Sequence, residues 1–183
     1  MGRFIGRRPD ETARLARRVA GHLEPGEEVI AAVLLQRPGT LSAEVKGATS
    51  GAVTGAIGGT AYGPGREDAE DRADRAGWVA QCEALGVDRA LAERTIHSAL
   101  VLTTARVLVV RRSSLTRRLG EPIGAWPVTE AHVDVPRGEQ TLTLRVGDAP
   151  LRFELPQAHR FLPDVYRELP ALVARARAQA TGS

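Results

Sequence analysis

Residues 98–112, SALVLTTARVLVVRR, decide the fold. Two apolar runs, Ala99–Leu102 and Val107–Val110, flank Thr103-Thr104-Ala105-Arg106. Both runs are rich in leucine and β-branched residues and contain neither glycine nor proline, which suits strands buried on at least one face. The stretch predicts the central hairpin of the core.

Upstream, Asp10 to Leu23 has helical periodicity. Leu15, Val19 and Leu23 recur every four residues, and Arg14, Arg17 and Arg18 lie off that stripe. Two readings fit: a basic amphipathic helix on an anionic membrane, or a helix packed on the core with a solvated arginine face. The second is favoured, because an alanine-rich stripe offers a bilayer little apolar area. Pro25-Gly26 breaks the helix, and Glu27–Gln36, EEVIAAVLLQ, reads as a first strand ended by Pro38-Gly39.

Gly47, Gly51, Gly55, Gly59 and Gly63 then recur every four residues with no charge between the first and the last. On a helix they would form a smooth stripe of the kind that lets two backbones approach closely in lipid. Each glycine costs a helix about 1 kcal/mol against alanine in water. At ~1.5 Å per residue the run spans only ~25 Å, short of a hydrocarbon core of ~30 Å. A flexible loop, a membrane-inserted or self-associating zipper, and a ligand-contacting loop all stay open. A phosphate loop does not, because GGTAYGPGR lacks the Lys-Ser/Thr pair. The acidic run REDAEDRADR opens a solvated helix to about Leu85, with Trp78, Val79 and Cys82 on its apolar side. Gly86 ends it, and a short helical turn follows to Arg94.

Downstream of the hairpin, residues 111–122 read as a polar connection, Ile123–Trp126 as a short strand, and Val128–Val135 as an alternating strand. Leu142, Leu144 and Val146 alternate with Thr141, Thr143 and Arg145, and Leu151, Phe153 and Leu155 repeat the pattern after Gly147-Asp148. Leu162, Val165, Tyr166, Leu169, Leu172 and Val173 mark one face of a closing helix, which Pro170 should kink or interrupt. The tail ARARAQATGS is expected to fray, with 179–183 disordered.

Three segments, LEPGEEVIAAVLLQRPG at 23–39, ALVLTTARVLVVRR at 99–112 and the strand-strand-helix ending at 140–173, carry a resemblance. The order of elements resembles the pleckstrin-homology (PH) superfold, and the wording is similar to bacterial, actinobacterial-type PH-like domain proteins. In these a T-x-x-R-apolar hairpin is frequent, here Thr103 to Val109. The resemblance implies an α+β fold: a bent antiparallel β-sandwich or barrel of about seven strands closed by a C-terminal helix. The domain would comprise residues 25–39 and 98–178. Residues 1–24 would form a basic helical lead, and 40–97 an insertion with a Gly-rich part, 47–63, and a charged helical part, 66–94. It implies a binding or scaffold module, and it does not imply phosphoinositide binding.

Composition narrows the function classes. Of 25 basic residues 24 are arginine, which with 19 glycines fits codon bias, so arginine abundance is discounted as a nucleic-acid signal. A net charge of +3 recruits DNA weakly, and 4% aromatic residues leave no base-stacking platform. Cys82 is the sole cysteine, so no intrachain disulfide forms, and no apolar stretch of signal length follows the basic start. A cytoplasmic location is expected, with peripheral contact at the inner membrane face.

No catalytic constellation emerges. His22, His97, His132 and His159 have no metal-ligand spacing, and Cys82 reads as a small packing residue. No enzyme activity, metal, cofactor or small-molecule substrate is expected. Arg111, Arg112, Arg117 and Arg118, flanking Ser113-Ser114, form the candidate site for phosphate or anionic lipid headgroups. The leading expectation is a non-enzymatic module that contacts membrane lipid or itself through the glycine-zipper stretch. The alternative is a soluble module taking a partner peptide at a sheet edge or helix groove. Nucleic-acid binding through residues 111–118 is the weakest reading.

Overall fold

A computed structural model describes residues 9–40, 69–113, 115–116, 118–136, 139–155 and 164–182. In chain order these form α1 (Pro9–Val19), a 3-10 turn (Ala20–His22), β1 (Val29–Gln36), α2 (Ala69–Ala84) and α3 (Arg89–Arg94). Then come β2 (His97–Thr103), β3 (Arg106–Arg112), β4 (Leu119–Pro127), β5 (Ala131–Asp134), β6 (Thr141–Val146), β7 (Ala149–Glu154) and α4 (Asp164–Thr181). The class is α+β, with one seven-stranded antiparallel sheet in the order β4-β3-β2-β1-β7-β6-β5.

The apolar hairpin lies mid-sheet, with Leu100 opposite Val109 and Leu102 opposite Val107. Alternation along the strands sends side chains to two faces. Ala31, Val33 and Leu35, with Leu100, Leu102, Val107 and Val109, face the main core. Leu142, Leu144, Leu151 and Phe153 from β6 and β7, and Leu169 and Val173 from α4, complete it. Ala32, Val101, Leu108 and Val110 face the other way, where Leu15 and Val19 of α1 cover them. The apolar stripe of α1 is thus spent on the sheet. Each such side chain contributes roughly 1.5–3 kcal/mol by burial.

β1 and β7 share one rung, Gln36 opposite Glu154, and then part. Parting leaves edge polar groups that must find partners elsewhere. The Tyr166 hydroxyl of α4 donates to the Leu34 carbonyl at 2.8 Å, and the Arg152 amide donates to Oε1 of Gln81 on α2 at 2.9 Å. Trp78 of α2 stacks edge-on against Phe153 of β7, centroids 5.2 Å apart, and its indole N–H donates to the Ala92 carbonyl. Two helices far apart in sequence therefore seal the gap.

The β2–β3 turn is tied to the start of β1. Arg106 grips Glu27 through both carboxylate oxygens, Nη2 to Oε2 at 2.6 Å and Nε to Oε1 at 3.1 Å. It also reaches Glu24 at 3.0 Å and the His22 carbonyl at 3.2 Å. The Thr103 hydroxyl accepts from the Arg106 amide at 2.8 Å and lies within donating reach of Glu27 Oε1. The physical content of the T-x-x-R pattern is this clamp: the threonine closes the turn and the arginine anchors it.

Some expectations shift. The polar connection 111–122 contracts, because β3 runs to Arg112 and β4 begins at Leu119. Pairing with β3 supplies backbone partners that local polarity could not reveal, with irregular register near Val109–Arg112. The strand expected over 128–135 contracts to β5, because Glu130 and Ala131 amides bond back to Pro127 and Val128 in a turn. Pro170 does not interrupt α4, which is helical throughout, and residues 179–181 belong to it instead of fraying. Tyr166, Leu169, Val173 and Ala176 are all buried, so one packed face carries the helix past its proline. The glycines at 47, 51, 55, 59 and 63 lie outside the described residues.

The Glu27 side chain is 2% exposed, and the Arg106 guanidinium holds its carboxyl down from 4.5 to about 2 against the opposing cost of burial. A depressed carboxyl stabilises the fold fully above its unfolded value and loses that contribution as pH falls toward its folded one. Glu27→Gln should therefore cost on the order of 2–3 kcal/mol at neutral pH, with the deficit shrinking below about pH 4.5, as read from urea melts across pH. A deficit unchanged down to pH 3 would contradict the clamp.

Candidate functional site

One end of the sheet gathers the chain's candidate binding groups. There β1 runs out at Gln36, β2 starts at His97, β3 ends at Arg112 and β4 starts at Leu119, side by side in register. Residues 113–118 bridge β3 to β4. The Ser113 amide donates to the Arg118 carbonyl at 2.9 Å, and the Thr116 amide to the Ser113 hydroxyl at 3.2 Å. The loop is closed by its own bonds, and Leu115 stands at its tip, 95% exposed. Ile96, immediately before β2, is the other large apolar residue exposed among the described ones. Both sit at this end.

Neighbouring arginines of β3 point to opposite faces, as strand alternation requires. Arg111 lies toward Gly120 and Glu121, with Nε 3.8 Å from a Glu121 oxygen that also takes Arg94 at 2.6 Å. Its charge is thus shared out on a carboxylate. Arg112 stands on the other face opposite His97, whose pKa is lowered by burial first and then by Arg112 and Arg37. Arg118 is exposed at the foot of β4. Arg117 lies outside the described residues. The arginines read as one cradle in sequence are distributed around a strand end: Arg111 shares Glu121 with Arg94, Arg112 lies on the other face, and Arg118 is exposed in the same loop as Leu115.

The same geometry separates structural from available arginines. Arg106, at the far end of the hairpin, is committed to Glu27 and Glu24. Sequence reading missed Glu27, Ile96 and Leu115. The signal for Leu115 was present, a lone leucine among serine, threonine and arginine, where an apolar residue has no core to serve. No such signal distinguishes Ile96 from a strand residue.

Among the described residues no group of three His, Cys, Asp or Glu is placed to hold a metal ion. No described helix is long and apolar enough to cross a membrane. No family model matches the chain, and neither a curated protein nor a solved structure matches it.

Cys82 is fully buried on α2, and burial, helped by Glu83, pushes its thiol up to about 12. Thiolate is the reactive form, so the native protein should be inert to an aromatic disulfide reagent at pH 8 and react stoichiometrically in urea. Rapid labelling without denaturant would contradict this packing.

Proposed function

We propose that the chain is a non-enzymatic PH-like module that docks the β3–β4 end of its sheet on an anionic membrane surface. The strand order, with β1 between the hairpin strands and β7 and a helix closing the chain, supports the PH-like reading. The observation that carries the docking is the coincidence at one end: Leu115 and Ile96 are both exposed at the strand end that also carries exposed Arg118. Cations attract the headgroups, and the apolar tips enter the boundary region beneath them. The membrane concerned would be the inner face of the cell membrane, met from the cytoplasm.

The magnitudes are modest and additive. Each basic residue near an anionic surface adds about 1 kcal/mol, and burying a leucine adds roughly 1.5–3 kcal/mol. Such a surface binds reversibly, as a peripheral module should. The experiment is flotation of the full chain with vesicles of phosphatidylserine and phosphatidylcholine, against phosphatidylcholine alone. The protein should float with the anionic vesicles and less so at high salt. Leu115→Asp should cut binding at least ten-fold, and Arg118→Glu several-fold. Equal flotation of wild type and both variants, or flotation of neither, would overturn the docking.

A further inference from the structure

The helix α2 spends only one side on the fold. Trp78, Val79 and Cys82 are buried in the main core. On the opposite side Ala73, Gly77, Ala80 and Ala84 are all exposed. Their spacing of four, three and four residues is that of a seam between two paired helices.

Gly77 is the position that the fold does not explain. It lies inside the helix, where glycine is less favourable than alanine, and its φ is not left-handed. A Cβ added there would meet nothing within 4 Å. No contact within this chain calls for glycine at 77, whereas close approach of another backbone does.

The charges along the flank of this face choose the occupant. Arg72 and Glu83 are exposed eleven positions apart, about three turns or ~16 Å along the helix. Both border a groove of about 430 Å³ between α2 and α3, with Ala76 and Ala80 between them. At the α3 wall Arg89 lies 3.0 Å from a Glu93 oxygen and 3.7 Å from one of Glu83. Arg72 and Arg75 thus make one end of the flank basic, and two carboxylates around one guanidinium make the other acidic. A uniformly acidic or basic partner would be repelled at one end. A second α2 laid antiparallel is attracted at both. A two-fold axis perpendicular to the helices brings like flanks together, sets Ala73 against Ala84 and Gly77 against Ala80, and places each Arg72 by the other copy's Glu83.

We infer that α2 is the seam of a symmetric homodimer, in which two copies of this chain pair antiparallel with Arg72 of each on Glu83 of the other. This surface is distinct from the proposed membrane end. One helix pair is small beside a permanent interface, so the association is weak and concentration-dependent, and the exposed charges set register more than affinity.

The test is sedimentation equilibrium of the full chain from micromolar to millimolar concentration. The wild type should pass from monomer to dimer. Arg72→Glu alone, or Glu83→Arg alone, sets like charges together at both symmetric contacts and should weaken the dimer roughly ten-fold. Mixing the two variants pairs opposite charges again at both contacts and should restore association as a heterodimer. Gly77→Leu should hold the chain monomeric while its melting temperature, taken dilute, stays level or rises. Leu115→Asp should dimerise like the wild type, which separates this face from the membrane proposal. A chain monomeric throughout, a dimer indifferent to Gly77→Leu, or charge variants that fail to rescue each other when mixed would each overturn it.

Discussion

The single rung between β1 and β7 is the constraint on which the architecture depends. Among the described residues Gln36 and Glu154 form the one rung between the two strands, while one core cluster draws side chains from β1–β4 and β5–β7 alike. The short pairing also strips both strands of ladder partners along the gap. A protein interior does not tolerate bare amides and carbonyls. Tyr166 answers for Leu34 and Gln81 for Arg152, while Trp78 and Phe153 fill the space between. The segment between β1 and β2 is therefore more than an appendage: its α2 completes the core that the strands begin.

The two ends of the central hairpin show how one residue type acquires opposite roles. At the β2–β3 turn, Arg106 is 21% exposed against a Glu27 that is 2% exposed, and the pair is bidentate. Removing one partner would strand a buried charge, which makes this arginine structural. At the β3–β4 end the balance differs. Glu121 serves Arg94 and Arg111 together, and Leu115 projects from a loop closed by its own hydrogen bonds. Arg118 and Leu115 are exposed there in one loop, the pairing on which the proposed lipid contact rests.

Much of the fold was legible in the sequence because burial writes itself as periodicity. The hairpin, the alternating β6 and β7, and the stripe of α1 followed from spacing alone. What periodicity cannot show is a partner in the third dimension. Residues 119–122, LGEP, look like loop because Gly120 and Pro122 break local patterns, yet they pair with β3. Residues 174–181 look like a fraying tail because their alanines and arginines carry little hydrophobic signal, yet Ala176 is buried. Among the site residues, Arg111 and Arg112 look equivalent on paper and diverge once strand alternation and Glu121 are known. Thr103 and Arg106 were visible as a pattern, but their reason, Glu27, sits 79 residues from Arg106.

The central claim is that one end of the hairpin, and not the other, meets an anionic surface. The direct measurement places an environment-sensitive dye on a cysteine introduced at Leu115 or, in a second protein, at exposed Ala105 on the β2–β3 turn. Buried Cys82 stays unlabelled in both. Phosphatidylserine vesicles should shift the emission of the dye at 115 to the blue and leave that at 105 unchanged. Equal shifts at both positions, or a shift at 105 alone, would contradict the account.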